Sequence, residues 1–368
     1  MATECTSPTI LDSRWKQRFR RRLLAWYAVH ERDLPWRRSK NPYRVWVSET
    51  MLQQTQVATV QAYFRRFVKA LPNVRKLAAA DERDVLRLWE GLGYYRRARQ
   101  LHAAAQRIVA EHGGQFPRDV ETLQTLPGIG RYTAGAIASI AFDQRAPILE
   151  ANTIRLLSRL VAYRDDPTKC AGQRLLWRTA EEILPRQDIA RFNQALMELG
   201  SLVCTPNQPK CGECPVASLC AARAAGLQEK IPPAGRKTQF IDITEAAVVV
   251  RKRGQVLLRQ CPEGQRWAGL WDFPRFEIQS EGPLFVRDEL VAKVREQTGI
   301  VIDPGPLLKS MKHGVTRYRI RLDCYAGSYR SGRLAPAGGE LRWTKPEELD
   351  AYPLSATGRR LARLVHGA

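Results

Sequence analysis

The spacing of apolar residues divides the chain into two parts with different periodicities. In the first part, Val57, Val60, Phe64 and Phe67 recur every three or four positions. This spacing predicts a helix that buries one face, and similar spacing recurs between turn signals throughout this part of the chain. We therefore expect residues 1–225 to form an all-α domain.

The second part alternates apolar and polar residues with a period of two, as strands do. Between residues 317 and 324, the apolar set Tyr318, Ile320, Leu322 and Cys324 alternates with Arg317, Arg319 and Arg321. One face of this strand would pack on a core and the other would present guanidinium groups. Residues 226–241 contain a Pro-Pro pair and predict an exposed interdomain linker. We expect residues 242–368 to form an α+β domain.

Charge and composition narrow the class of protein. The chain has 368 residues, with 59 Lys and Arg against 37 Asp and Glu, a formal net charge of +22. This excess favours a polyanionic partner, nucleic acid before an anionic membrane. The apolar content and the lack of a long apolar run argue against a disordered chain and a multi-pass membrane protein. With no secretory signal visible, we expect a cytoplasmic, nucleoid-associated protein without membrane attachment.

Four of the eight cysteines are clustered, at Cys204, Cys211, Cys214 and Cys220. In a reducing compartment such a cluster predicts metal ligands rather than disulfides. Four thiolates can hold either tetrahedral zinc or a 4Fe-4S cluster. Most zinc sites use two close pairs, and here only Cys211 and Cys214 form one, which favours the iron–sulfur cluster.

A glycine turn separates two helical segments in the first part. Its sequence, residues 126–130, is LPGIG, with Gly128 and Gly130 around one apolar residue. Backbone N–H groups exposed in such a turn, together with the N-terminus of the next helix, form a phosphate site without sequence preference. An ordinary turn between helices is the alternative.

These features resemble a known superfamily. The LPGIG turn is similar to the helix-hairpin-helix of DNA glycosylases, and the cysteine spacing is similar to the iron–sulfur loop of their endonuclease III branch. Within that branch, residues 34–37 (LPWR), 45–56 (VWVSETMLQQTQ) and 91–99 (GLGYYRRAR) resemble the adenine DNA glycosylases, the MutY family. Residues 267–274 (WAGLWDFP) resemble the Nudix-related domain that this family uses against 8-oxoguanine.

The resemblance implies an enzyme that flips adenine mispaired with 8-oxoguanine, or with guanine, out of double-stranded DNA and hydrolyses its glycosidic bond. It implies a monomer that leaves an abasic site. Glu49 matches the acid that protonates adenine N7, and Glu150 the carboxylate that stabilises the oxocarbenium-like sugar. Tyr132 would contact the sugar or the second carboxylate, and Asn152 would hold water or a carboxylate. Glu150 stands where the family usually has aspartate.

The same resemblance implies residues that bind substrate and DNA. Six match the pocket for the flipped adenine: Arg32, Leu34, Trp36, Arg37, Leu52 and Gln194. For the apolar members a plain core role is an equal alternative. Gln54 and Tyr94 match residues that enter the duplex. Lys312 and His313 lie in the stretch that reads 8-oxoguanine, where the family commonly has Phe-Ser-His, and Lys312 could equally bind a phosphate.

Two other functions stay open. Bifunctional members of the superfamily, which act on damaged pyrimidines, carry a nucleophilic lysine two residues after the last glycine of the hairpin. Tyr132 occupies that position and favours a monofunctional enzyme. A catalytically weak lesion-binding protein is the other alternative, because Glu150 and Lys312 depart from the family pattern. Nucleotide pyrophosphate hydrolysis is not expected, since only Glu296 remains of the Nudix box carboxylates.

Overall fold

The computed structural model describes residues 11–235, 239–280 and 282–366, which form two compact units. The first unit contains residues 11–79 and 99–235, and the second contains residues 80–98 and 239–366. Residues 80–98 are thus grouped with the second unit, although they precede the predicted linker by more than a hundred positions. The linker predicted at 226–241 stays a prediction, and its residues 236–238 lie outside the described part.

Every regular element between residues 11 and 225 is helical, as the apolar spacing predicted. The α-helices are α1 Ser13–His30, α2 Pro42–Leu52, α3 Val57–Ala70, α4 Val74–Ala78, α5 Glu82–Trp89, α6 Arg96–His112, α7 Val120–Thr125, α8 Arg131–Phe142, α9 Ala151–Leu160, α10 Cys170–Ile183, α11 Ile189–Leu202 and α12 Ala221–Ala224, with a 3-10 turn at Ala217–Leu219. No helix among the described residues combines the length and apolar character that crossing a bilayer requires.

Side-chain caps set the start of several helices. Asp12 accepts a hydrogen bond from the Trp15 amide at 2.7 Å at the start of α1, and Asp119 accepts one from the Thr122 amide at 2.7 Å at the start of α7. Such caps satisfy amide groups that have no partner within the helix. In α3, Val60, Phe64 and Phe67 are fully buried, so the predicted spacing marks the face that packs on the core.

Helix α8 crosses the interior of the first unit. It packs against α2, α7 and α11, and every residue from Thr133 to Ile140 is buried. A Cβ atom at Gly135 would collide with the carbonyl oxygen of Pro147. The small residues of this helix therefore allow its close approach to residue 147.

The second unit is built on a mixed seven-stranded sheet. The strands are β1 Ile241–Lys252, β2 Gln255–Gln260, β3 Trp271–Asp272, β4 Arg275–Glu277, β5 Ile300–Val315, β6 Tyr318–Gly332 and β7 Leu341–Thr344. Their order is β3-β2-β1-β6-β5, with β4 paired to β1 and β7 paired to β2. Among the strands of the described residues, β1 and β6 pair in parallel and the other pairings are antiparallel. The α+β prediction for this half of the chain is confirmed.

Both faces of this sheet are covered. Ala247 and Val249 of β1 pack in one core with α14 Ala356–His366, whereas Val248 and Val250 pack in the other with α13 Pro283–Thr298. A 3-10 helix at Pro346–Ala351 precedes α14. Strands buried on both faces read as continuous apolar runs, which is what residues 246–250 show. In β6, Ile320, Leu322 and Cys324 are buried and Tyr318 is half-buried, whereas Arg319 and Arg321 are exposed, as is Arg317 directly before the strand. The predicted alternation is confirmed for these residues.

The turn between α7 and α8 contains two glycines, and its backbone geometry requires glycine at one of these positions but not at the other. Gly128 has φ +73°, and a Cβ there would lie 2.7 Å from Gln100 Cβ. Gly130 has φ −84°, and no atom lies within 4 Å of a Cβ built on it. Only Gly128 is therefore required by the backbone, since an L-residue at positive φ is strained and would also clash.

We predict that Gly128→Ala lowers the free energy of unfolding by about 1–2 kcal/mol, because it combines a left-handed backbone with a close contact. Gly130→Ala is the matched control in the same turn and should stay within about 0.5 kcal/mol of the parent. Denaturant titration of the three proteins measures both values. Equal losses in the two variants would contradict this account of the turn.

Candidate active site

One cavity in the first unit brings the predicted site residues together. It has a volume of about 880 Å³, within the usual range for ligand sites. Its lining includes eleven predicted residues: Arg32, Leu34, Trp36, Arg37, Glu49, Leu52, Gln54, Tyr132, Glu150, Asn152 and Gln194. They come from α2, α8, α9, α11 and the loop after α1. The cavity thus unites residues that are up to about 160 positions apart in the sequence.

Glu49 lies on α2 and is 4% exposed. The Tyr132 hydroxyl, carried by α8, donates a short hydrogen bond to its carboxylate. Burial raises the pKa of Glu49 to about 7; the negative charge of Glu150 acts in the same direction, while the Tyr132 hydrogen bond and the positive charge of Arg37 oppose it. Glu49 can therefore hold a proton near neutral pH, as a general acid must.

Tyr132 is the second residue of α8 and follows directly from the glycine turn. Burial, together with the charges of Glu49 and Glu150, raises the pKa of its phenol well above the ordinary value. The hydroxyl therefore stays neutral and acts as a hydrogen-bond donor. Between the two carboxylates it can orient Glu49, and it offers no amine for attack on a sugar.

Glu150 is the N-cap residue of α9. Its Oε1 accepts from the Thr153 amide at 2.9 Å, and its Oε2 accepts from the Asn152 amide at 2.8 Å and from Asn152 Nδ2 at 3.1 Å. The extra methylene relative to aspartate is accommodated because the side chain folds back onto the helix N-terminus. Burial raises the pKa of Glu150, while the backbone donors of Asn152 and Thr153 act in the opposite direction.

A residue that the sequence did not single out, Arg155, fixes the amide of Asn152. Arg155 Nη2 donates to Asn152 Oδ1 at 2.9 Å and to the Gly200 carbonyl at 2.7 Å, and its Nε donates to the Cys204 carbonyl at 2.7 Å. With its Oδ1 bound to a guanidinium, Asn152 presents its NH₂ group to Glu150. A chain of hydrogen bonds therefore joins the candidate catalytic carboxylate to the start of the cysteine cluster.

Glu198 is a second residue that the sequence analysis missed. It is fully buried on α11 and binds Arg32 through a two-point contact of 2.6 and 2.9 Å, and Arg37 Nη2 at 2.7 Å. Burial acts to raise the pKa of Glu198, but the hydrogen bonds from Arg32 and Arg37 outweigh it and lower the pKa. The two predicted adenine-binding arginines are therefore held by this anion. A signal existed in the sequence, since Glu198 lies one helical turn after Gln194.

The apolar part of the lining is also part of the core. Leu34 and Trp36 are 4% and 5% exposed, and Trp36 meets Phe64 edge-on with ring centroids 5.5 Å apart. Their burial is consistent with the core role, and their binding of a flipped adenine stays a prediction. Because the ring of Trp36 is fixed by packing, it forms a rigid apolar surface at the cavity wall.

Gln54 and Tyr94 share an unusual backbone conformation. Gln54 has φ +58° at the cavity rim, and Tyr94, in the second unit, has φ +49° and is 50% exposed. Left-handed conformations are strained for residues other than glycine and cluster at functional sites. The structure thus presents both side chains at sharp turns. Their entry into a duplex stays a prediction.

Gly128 and Gly130 form the turn that leads into α8. Gly130 is the N-cap of that helix, and no side chain caps the first-turn amides there. These amides are the groups that a phosphate would bind at a helix N-terminus. The phosphate site predicted from the LPGIG sequence remains a prediction.

Lys312 and His313 lie on β5 of the second unit. Lys312 is exposed, whereas His313 is half-buried and its Nε2 lies 3.1 Å from Arg275 Nη2. Burial, together with the positive charge of Arg275, lowers the pKa of His313 to about 4. His313 is therefore neutral at physiological pH, and its Nε2 accepts from the arginine. Of the two residues, Lys312 is the one whose side chain is exposed and could contact a ligand.

The four clustered cysteines line a second, small cavity of the first unit. Arg159 Nη1 donates to Cys204 Sγ at 3.2 Å, and Cys220 Sγ donates to the Arg159 carbonyl at 3.4 Å. Burial, with repulsion from the other three thiols, raises the pKa of Cys214 to about 11. The cysteines of the described residues are all free, and no three His, Cys, Asp or Glu side chains of that part of the chain form a group suited to one metal ion.

Two protein families match successive parts of the chain. The family of HhH-GPD superfamily base excision DNA repair proteins matches residues 47–182, and the NUDIX domain family matches residues 245–364. The chain is 45% identical to the adenine DNA glycosylase of Homo sapiens, over 95% of this chain and 74% of that protein. It is 38% identical to the adenine DNA glycosylase of Buchnera aphidicola subsp. Schizaphis graminum, over 71% of this chain and 76% of that protein.

Among solved structures, a thermostable thymine-DNA glycosylase is similar to the helical half. The match has a TM-score of 0.53 and 27% sequence identity, and it covers 58% of this chain and 100% of that one. The fold of the first unit is therefore a glycosylase fold.

The raised pKa of Glu49 predicts how the free energy of unfolding depends on pH. Because its pKa rises from 4.5 to about 7 on folding, the folded protein binds a proton that the unfolded chain releases between these values. Stability therefore falls as pH rises through this window, by at most about 3 kcal/mol from this group. Glu49→Gln keeps an acceptor for Tyr132 and removes the titration, so it should stabilise the protein at pH 8 relative to the parent.

The measurement is the Tm of parent and variant at pH 5.5 and pH 8. We expect the loss of Tm between these pH values to be smaller in Glu49→Gln, with exposed Glu229→Gln as the control that leaves it unchanged. A pH dependence in Glu49→Gln equal to that of the parent would show that Glu49 does not titrate in this window.

Proposed function

The chain belongs to the adenine DNA glycosylase family, and on that premise we propose that it flips adenine paired with 8-oxoguanine or guanine out of DNA and hydrolyses its glycosidic bond. The observation that carries the proposal is the single cavity in which Glu49, Tyr132 and Glu150 meet. Two carboxyl groups with different surroundings are what acid-assisted glycoside cleavage needs. The partner is double-stranded DNA, and we propose that the enzyme acts as a monomer in the cytoplasm.

The flipped adenine would occupy the cavity against the rigid wall formed by Leu34, Trp36 and Leu52. A base leaves the stack more readily when its pocket replaces the lost stacking with apolar contact and the lost pairing with hydrogen bonds. Arg37 and Gln194 line the same cavity and would supply the hydrogen bonds to the base. Since Glu198 holds Arg37 in place, the pocket is already organised before DNA binds, which reduces the ordering cost on binding.

Glu49 would deliver the proton to adenine N7. Protonation converts the base into a neutral leaving group, a contribution of about 10²–10⁴-fold in rate. The pKa of about 7 supports this role, because the acid is still protonated near neutral pH. Tyr132 would fix the direction of the carboxyl group through the hydrogen bond that it donates.

Glu150 would stabilise the positive charge that develops on the sugar as the base departs. Its two oxygens are held by amide groups of Asn152 and Thr153 at the start of α9. These donors favour the ionised form, although burial opposes it. An anion fixed in a sheltered site stabilises charge more effectively than one that must reorganise.

The same site supports a monofunctional enzyme. Tyr132 occupies the position of the superfamily's nucleophilic lysine, and its hydroxyl is engaged by Glu49. Water, rather than an amine of the protein, would therefore attack the sugar, and no Schiff base would form. The product is an abasic site in an intact strand.

Contacts with the rest of the duplex would come from both units. The uncapped amides at the start of α8 fit a phosphate, and Gln54 and Tyr94 would enter the helix near the mispair. Lys312 would read 8-oxoguanine through its O8 or N7 acceptor. His313, tied to Arg275, would support the strand that carries Lys312 rather than donate to the lesion.

We further propose that Cys204, Cys211, Cys214 and Cys220 hold a 4Fe-4S cluster. Their side chains share one cavity, and Arg159 beside them fits the negative charge of a thiolate-bound cluster. When bound, the cluster would fix this loop without taking part in base excision. Lys210 and Arg223, next to the cysteines, would then meet DNA phosphates.

We predict that the protein excises adenine from a duplex containing A:8-oxoguanine in a single-turnover assay, without trapping by borohydride. In Glu150→Gln, which keeps the size and removes the charge, excision should fall by about 10²-fold or more, the range of one lost electrostatic contact. Binding to the mismatch should change far less. Glu150→Asp restores the family's usual residue and should keep partial to full activity.

Two outcomes would contradict the proposal. Excision by Glu150→Gln at the parent rate would show that Glu150 is not the stabilising carboxylate. Borohydride trapping of the parent protein on DNA would show that it forms a Schiff base and is not monofunctional.

For the cysteine site, we predict that the purified protein is brown, absorbs in the violet and contains four irons per chain. The control is Cys170→Ser, which changes an exposed cysteine outside the cavity and should leave the iron content unchanged. A colourless protein with one zinc per chain would refute the cluster.

A further inference from the structure

Residues 82–98 of the second unit carry Tyr94 on a turn that is held together by its own contacts. Gly91 and Gly93 have φ +98° and +71° and allow the chain to bend sharply. Trp89 Nε1 donates to the Gly93 carbonyl at 3.2 Å, and Arg97 donates to the Leu92 and Gly93 carbonyls, both at 3.3 Å. These hydrogen bonds fix the backbone of the turn without any contact to DNA.

An ion pair connects the turn that carries Tyr94 to α14. Arg359 Nε and Nη2 bind the two oxygens of Glu90 at 2.7 and 3.0 Å, and the two side chains are 9% and 10% exposed. The remaining N–H groups of Arg359 bind Asp350 at 2.7 Å and the carbonyls of Leu349 and Tyr352 at 3.0 and 2.6 Å. A two-point Arg–carboxylate contact fixes direction as well as distance.

The ion pair lies where it can fix the direction of the turn. Glu90 directly precedes Gly91, so the carboxylate anchored by Arg359 is on the first residue of the turn. Because glycine permits many backbone conformations, the anchors at its ends decide where the turn points. Arg87, whose Nε donates to the Asp350 carbonyl at 2.6 Å, attaches the preceding helical turn to the same region.

We propose that Arg359 is a positioning residue that acts through Glu90 to hold Tyr94 in the orientation that enters the duplex. The inference rests on the proposed function, because it assumes that Tyr94 enters DNA. It makes α14 of the Nudix-like domain part of the apparatus for opening the mispair. The strand carrying Lys312 and the turn carrying Tyr94 belong to one compact unit, so lesion reading and duplex entry would be set by a common scaffold.

The test is a double-mutant cycle between Arg359→Gln and Tyr94→Ala. Binding is measured with a duplex that pairs 8-oxoguanine with a non-cleavable 2′-fluoro adenosine, and 2-aminopurine beside the mispair reports unstacking. We expect each single variant to weaken binding by about tenfold, the range of one lost stacking contact, and to reduce the fluorescence rise. In the Tyr94→Ala background, Arg359→Gln should have less than about a twofold further effect.

The controls separate positioning from folding. Arg363→Gln changes an exposed arginine one turn further along α14 and should bind like the parent. Glu90→Gln breaks the same pair but leaves the carbonyl contacts of Arg359, so it should reproduce Arg359→Gln; it replaces that variant in the cycle if Arg359→Gln does not fold by circular dichroism.

The failures are distinguishable. If Tyr94→Ala weakens binding and Arg359→Gln does not, or if their effects multiply, the inference is wrong while the role of Tyr94 stands. If Tyr94→Ala binds and unstacks DNA like the parent, the assignment of Tyr94 fails and the inference fails with it. Loss of excision by Glu150→Gln is independent of both results.

Discussion

The proposed mechanism requires two carboxyl groups in one sheltered cavity to be kept in different protonation states, and the surroundings of Glu49 and Glu150 differ in the way that this constraint demands. Glu49, on α2, is buried and accepts a hydrogen bond from Tyr132 of α8, but burial dominates and favours its neutral form. Glu150 is half-buried and lies at the N-terminus of α9, where amide groups act against the effect of burial on its pKa. Burial raises the pKa of both carboxyl groups. In the proposed mechanism, the amide groups at the helix N-terminus would distinguish the anion from the acid.

The supports of this pair extend well beyond the cavity. Glu150 is held by Asn152, Asn152 by Arg155, and Arg155 by carbonyls at Gly200 and Cys204. A loop organised by its cysteines would therefore stiffen the carboxylate through a fixed series of hydrogen bonds. In the proposed enzyme, the cysteine site would in this way affect the chemistry structurally, without electron transfer.

Local patterns predicted the helices and strands, and the family resemblance supplied most of the residues that line the cavity. The spacing in α3 and the alternation in β6 are properties of a few neighbouring residues, so the sequence displays them directly. The residues that escaped prediction are Arg155, Glu198 and Arg359. Each is a buried charge with partners in other elements, up to 269 positions away. Such pairings depend on the assembled fold, and their residue types alone resemble ordinary surface charges.

The same reasoning explains why residues 80–98 belong with the second unit. Chain order places them in the helical half, and a boundary drawn from composition follows chain order. Membership of a compact unit is decided by contacts, and those of this segment include Glu90 with Arg359 and Arg87 with Asp350. A buried Arg–carboxylate pair is costly to break, because either partner alone is a desolvated charge. The turn that carries Tyr94 is therefore held by the domain whose strands carry Lys312.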